Sequence, residues 1–130
     1  MNSVQERFMR CIGIMTEVDL ETLRSSAIAI GGLGLGGSIF LNLVRMGVEH
    51  FHISDPDMYE RTNINRQRMA KESTLGVRKD EALLREAYDI NPQIKVRSFP
   101  AGISEVNVKD FLEGIDWVVD VVDVFALKEK

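Results

Sequence analysis

"SSAIAIGGLGLGGS", residues 25–38, decides how this chain folds. Ala27 to Ile30 form a short apolar run that meets glycines at once. A buried parallel strand that ends in a tight turn reads this way. Gly32, Gly34 and Gly37 then match G-x-G-x-x-G. The first glycine permits the turn, the second lets a phosphate approach the backbone, and the third lets helix and strand pack closely. Behind them Ile39, Phe40, Leu43, Val44 and Met46 recur with helical spacing, and Gly47 is placed as the C-cap. Such a helix start offers N–H groups and a positive dipole to an anion. The motif alone does not choose among NAD, FAD, S-adenosylmethionine and ATP, and a glycine turn that binds nothing stays open.

Outward from this unit the chain alternates. "HFHIS" (His50–Ser54) reads as a second strand, followed by a polar stretch from Asp55 to Glu81. Ala82, Leu83, Ala87 and Ile90 give a helical stripe within residues 76–90, which Asn91-Pro92 stops. "QIKVRSF" alternates as a third strand, Val106–Leu112 suits a short helix, and Asp116–Val122 reads as a fourth strand with apolar residues on both faces. One or two helices precede the first strand. The expectation is α/β: a Rossmann-like three-layer domain with a mainly parallel sheet and N-terminal helices, occupying residues 1–130. Trp117 and the six methionines read as packing. His50 and His52 share a strand face, but the sequence places no third ligand beside them.

Composition narrows the function classes. Hydrophobic residues make 45% of the 130 and charged residues 28%, the balance of a soluble globular protein. The net charge of −4 argues against a nucleic-acid partner. No apolar run is long enough for a bilayer, and the N-terminus lacks the order of a secretion signal. The single cysteine, Cys11, allows neither an internal disulfide nor a Cys-rich zinc site, and it reads as structural. Together these favour the cytoplasm.

Asp55 stands just past the second strand, at roughly the 20-residue distance from Gly32 expected of an acid that accepts ribose hydroxyls. A dehydrogenase would need little more. The chain goes on to Asp57, Asn63, Arg66 and Gln67, then to Lys79 at a helix start. A triphosphate that reacts at its α-phosphorus builds negative charge there and on departing pyrophosphate, which preorganised Arg and Lys stabilise. An aspartate can hold Mg²⁺, and Asp123 falls at the carboxyl edge of the sheet, where α/β ligands bind. The charges at Arg68, Lys71 and Arg78 read as solvated surface.

"GLGLGGS", "DPDMYERTNINRQ", "GVRKDEA", "INP" and "DWVVDVVD" occur in this order. In sequence and spacing they resemble the N-terminal portion of the ThiF/MoeB-type, ubiquitin-activating-enzyme-like family. The resemblance implies adenylation, with ATP and Mg²⁺, of the C-terminal glycine of a ubiquitin-like or sulfur-carrier protein. It implies that Asp55 holds the ribose and that Asn63, Arg66 and Lys79 contact phosphates with Gln67 close by. Asp123 would assist Mg²⁺ or the reacting centre. "RFMR" matches the family's R-Y-x-R, and its second arginine, Arg10, would reach the ATP of the other subunit of a homodimer. Leu35 and Val124 depart from the family pattern, and the sequence stops at Lys130, where family domains continue. The expectation is thus a truncated adenylyltransferase domain that needs a further half for turnover. An NAD(P)-dependent oxidoreductase fragment and a non-catalytic dimerising module are the alternatives.

Overall fold

The computed structural model describes residues 3–122, and their side chains from Glu6 onward. Asp123, expected at the magnesium, lies outside the described residues. Two helices come first, α1 (Ser3–Phe8) and α2 (Glu17–Ser25), with a 3-10 turn at Met9–Cys11. Thr16 caps α2: its hydroxyl accepts the Asp19 N–H at 3.1 Å, and the Asp19 carboxylate accepts the Thr16 N–H at 2.8 Å. This reciprocal box satisfies two donors that the helix start leaves over.

The sheet follows: β1 (Ala27–Gly31), β2 (His50–Ser54), β3 (Lys95–Phe99) and β4 (Trp117–Asp120), in the order β3-β2-β1-β4. Every pairing is parallel. Between the strands run α3 (Leu35–Met46), α4 (Lys79–Ile90) and the short α5 (Val108–Leu112). The alternation read from the sequence is therefore a parallel, Rossmann-like sheet. The expected bounds hold within a few residues, and β2 matches at both ends.

Strand alternation divides the core into two layers. Ile28, Ile30, Phe51 and Ile53 pack with Phe40, Leu41 and Val44 of α3 and Leu83 and Ala87 of α4. On the other face Ala29, Phe99 and Phe111 form a smaller cluster with Ile103 and Ile115. Gly47 ends α3 at φ 105°, in the left-handed region.

Three expectations about packing fail. Trp117 is 70% exposed, because β4 is the terminal strand of the described sheet and nothing described covers its flank. Met46 is exposed at the last turn of α3, whereas Leu41 is buried. Of the methionines, Met69 is buried, but Met9, Met46 and Met58 are exposed. The polar stretch also contributes core: Tyr59, Met69 and Ala70 are buried, anchoring a loop that contains two 3-10 turns, Arg61–Asn63 and Glu72–Thr74.

Candidate functional site

Strand register fixes the edge on which the site is built. Phe99, Ser54, Gly31 and Asp120 form one row across the carboxyl ends of β3, β2, β1 and β4. The chain leaves each strand just beyond this row, and a cavity of about 930 Å³ opens there. Ligands of open α/β sheets bind at such an edge. A second concavity, of about 500 Å³, lies at the amino ends around His50, His52 and Lys95, away from the glycine loop.

Gly32 donates its N–H to Ser54 O at 2.9 Å and turns the chain at φ 87°. A Cβ there would meet Val121 O at 2.7 Å, so both conformation and space demand glycine. Gly34 is the N-cap of α3 and offers no side chain to the first turn. Gly34 and Leu35 line the cavity, which presents the positive end of α3 to whatever fills it. A Cβ on Gly37 would meet Leu83 Cδ1 of α4 at 2.9 Å, so Gly37 admits a helix rather than the expected strand. Gly36 serves the strand: its Cβ would meet Ile30 Cγ2 at 2.8 Å.

Asp55 is 7% exposed and braces the glycine loop. One carboxylate oxygen accepts the Leu33 N–H at 2.8 Å, and the other accepts the Asp57 N–H at 2.8 Å. Each oxygen keeps a second lone pair for a ligand. Its charge, after burial, is the second cause that pushes the Tyr59 phenol well above its ordinary value. Asp57 is exposed and lines the cavity, and its carbonyl accepts the Lys79 N–H at 3.0 Å.

Lys79 is the first residue of α4 and only 6% exposed, yet it lines the cavity. Its ammonium lies 5.8 Å from the centroid of the Tyr59 ring, and no carboxylate among the described residues pairs with it. Arg66 lines the same cavity from an exposed position, with Nη1 donating to Thr62 O and Asn65 Oδ1, both at 2.9 Å. Gln67 is 9% exposed, and its Oε1 is buried without a partner. Buried polar atoms are normally satisfied, so an orphan beside a cavity marks a place for a ligand group.

Asn63 does not line this cavity. Its Oδ1 accepts the Glu60 N–H at 2.8 Å and closes a 3-10 turn, which makes it a loop brace in this chain. Arg10 is exposed on the N-terminal 3-10 turn and is not brought to the cavity of its own chain. The structure adds Pro56, Ala101, Gly102, Ile103 and Asp120, none of which the sequence reading selected. The carboxyl-edge rule was the signal that could have found the loop after β3.

A glycine turn at a helix start, a braced aspartate and a buried lysine gather around one cavity at the carboxyl edge of a Rossmann-like α/β domain. The chain belongs to the ThiF family, whose model matches residues 6–130. It is 34% identical over 117 residues to the adenylyltransferase and sulfurtransferase MOCS3 of Culex quinquefasciatus, covering 90% of this chain and 26% of that protein. It is 35% identical over 111 residues to the tRNA threonylcarbamoyladenosine dehydratase of Bacillus subtilis, covering 84% of this chain and 44% of the relative. The E. coli dehydratase solved with ATP superposes with a TM-score of 0.89 at 25% identity, over 95% of this chain and 52% of that one. The chain thus spans about half or less of the length of these relatives.

Proposed function

We propose that the cavity binds ATP, with its triphosphate between the glycine loop, Arg66 and Lys79, and that the domain serves adenylation of a carboxylate on a carrier substrate. The observation that carries this reading is Lys79: an ammonium buried at the positive end of a helix and lining the cavity, in no ion pair with a carboxylate among the described residues. Such a placement costs energy unless an anion enters. Likeness to an ATP-bound dehydratase and to an adenylyltransferase supports the choice of nucleotide.

In the reaction a carboxylate oxygen forms a bond to the α-phosphorus, and the bond from that phosphorus to the bridging oxygen of pyrophosphate breaks. The carboxylate is already ionised at neutral pH, so no general base is required. Arg66 and Lys79 oppose the charge that grows on the phosphorus and on the leaving group. Asp55 accepts from the ribose with its remaining lone pairs, and Gln67 contacts the nucleotide beside Gly34. Mg²⁺ bound at Asp123 belongs to the same reading and would neutralise triphosphate charge.

In the finer reading the substrate is the C-terminal glycine of a ubiquitin-like or sulfur-carrier protein, and the active form is a homodimer in which Arg10 reaches the partner's nucleotide. A second reading keeps the nucleotide site but places the reacting group on a tRNA, favoured by the dehydratase relative. The deciding experiment is a thermal-shift titration with Mg·ATP and with NAD, in wild type and Arg66→Ala, followed by pyrophosphate exchange with candidate carriers or with tRNA. A rise in Tm with Mg·ATP that Arg66→Ala removes is expected. A rise with NAD alone would sink the reading.

A further inference from the structure

Helix α4 begins without an ordinary cap. Arg78 stands at the N-cap, and its side chain accepts nothing from the first turn. The second helical residue, Asp80, does that work and more. It is 3% exposed. Its Oδ1 accepts the Glu81 N–H at 2.9 Å and Arg78 Nε at 3.0 Å. Its Oδ2 accepts from Arg78 Nη2 and from the Ser98 hydroxyl, the latter at 2.7 Å. Four donors therefore converge on one buried carboxylate, and they come from three places: the helix itself, the residue before it, and β3.

The β3 donor matters most. Ser98 pairs in register with Ile53, one row behind the edge row of Ser54 and Phe99. Asp80 thus ties the first turn of α4 to β3, which pairs with β2, the strand that leads into Asp55. Lys79 lies between this tie and the Asp57 carbonyl that accepts its N–H. Its side chain has one other described contact, the Tyr59 ring, which grips weakly and without direction along the ring face. The ammonium goes where the backbone of the first turn puts it.

We infer that Asp80, held by Ser98 and Arg78, is a positioning residue that sets the Lys79 ammonium at the phosphate end of the nucleotide cavity. The inference rests on the ATP reading above and deepens it. A buried carboxylate with this many donors also stabilises the fold, so the test must read something that stability does not move.

The test is a double-mutant cycle on binding, read by calorimetry with Mg·ATP and with adenosine on the full chain. Asp80→Asn and, as a milder variant that cuts only the β3 tie, Ser98→Ala are each made in wild-type and Lys79→Ala backgrounds. The expected result is that either variant weakens Mg·ATP about tenfold, leaves adenosine within about twofold, and has no further effect once Lys79 is gone. Equal losses for adenosine and Mg·ATP, or a full tenfold loss persisting in the Lys79→Ala background, would overturn the positioning role. Should Asp80→Asn fail to fold, Ser98→Ala carries the same comparison alone. Failure of the ATP reading looks different: wild type and Lys79→Ala would then bind Mg·ATP equally weakly, which removes the inference with it.

Discussion

A lysine at the first position of a helix faces the positive end of the macrodipole, and Lys79 is buried there as well. Removing its charge relieves an unfavourable term of about 0.3–1 kcal/mol and forfeits a cation–π contact of about 0.5–1 kcal/mol. Lys79→Met should therefore leave the unfolding free energy of the unliganded chain within about 1 kcal/mol of wild type in urea titrations. The same variant should lose the rise in Tm with Mg·ATP. A strongly destabilised variant would mean that Lys79 serves the fold and not a ligand. Asp80 is the opposite case. Burial alone would raise its carboxyl pKa, but the hydrogen bonds from Arg78 and Ser98 and the Arg78 charge bring it below 3.8. A depressed folded value stabilises fully above the unfolded value, about 3.9, and the contribution is lost as pH falls through the folded one. Melting scans below about pH 4 should show a shallower loss of Tm for Asp80→Asn than for wild type. Asp19, held low by Thr16, titrates in the same window, so the difference between the two proteins, not the wild-type slope, reports Asp80.

At the scale of elements, the glycine spacing was legible but the partner of each glycine was not. Spacing along a chain says which residues leave the turn together; it does not say which neighbour fills the space a Cβ would take. Gly37 admits Leu83 of α4 and Gly36 admits Ile30, although the motif assigns strand packing to the third glycine. The costs should rank by how far each neighbour can give. Gly37→Ala meets the tip of a leucine and gains helix propensity of about 1 kcal/mol, so its net cost should be under about 1 kcal/mol. Gly36→Ala meets the β-branch methyls of Ile30 and Val121, which cannot swing away as a leucine tip can, and should cost about 1–2 kcal/mol. Gly32→Ala combines a left-handed φ with a backbone oxygen at 2.7 Å, which cannot rotate away, and should cost most, about 3 kcal/mol or more. Chemical denaturation of the three variants checks the order; Gly37→Ala ranking worst would refute the packing argument. Elements with strong periodicity were read well, β2 at both ends and α3 at its end but about three residues late at its start, because one buried face dictates the periodic part while the glycine turn carries no such signal. Sequence did not show that Asn63 also braces a turn through its Oδ1, because a polar loop residue can bond backbone or face a ligand and the local turn decides.

At the scale of the molecule, the reading from sequence failed where burial depends on what lies beside the sheet. Trp117 sits in a strand apolar on both faces and reads as core, yet β4 is the terminal strand of the described sheet and leaves it exposed. Arg10 poses the same problem: it is exposed and does not line the cavity of its own chain, so the described intrachain geometry gives it no role there. The proposed homodimer gives it one in trans, and that arrangement has a consequence no single-chain role shares. Arg10→Ala and Lys79→Ala proteins should each lose tight Mg·ATP binding alone. In a mixed dimer, the site that keeps Lys79 receives Arg10 from the other chain, while the second site lacks both. Random reassociation of equal amounts makes half the dimers mixed, with one good site in two, so about a quarter of wild-type binding capacity should return. Calorimetry on the two variants, separately and after mixing through a dissociating step, reads this directly. Recovery near that fraction places Arg10 across the interface. No recovery from dimers that demonstrably exchange subunits confines Arg10 to its own chain, where the described geometry offers it nothing to bind.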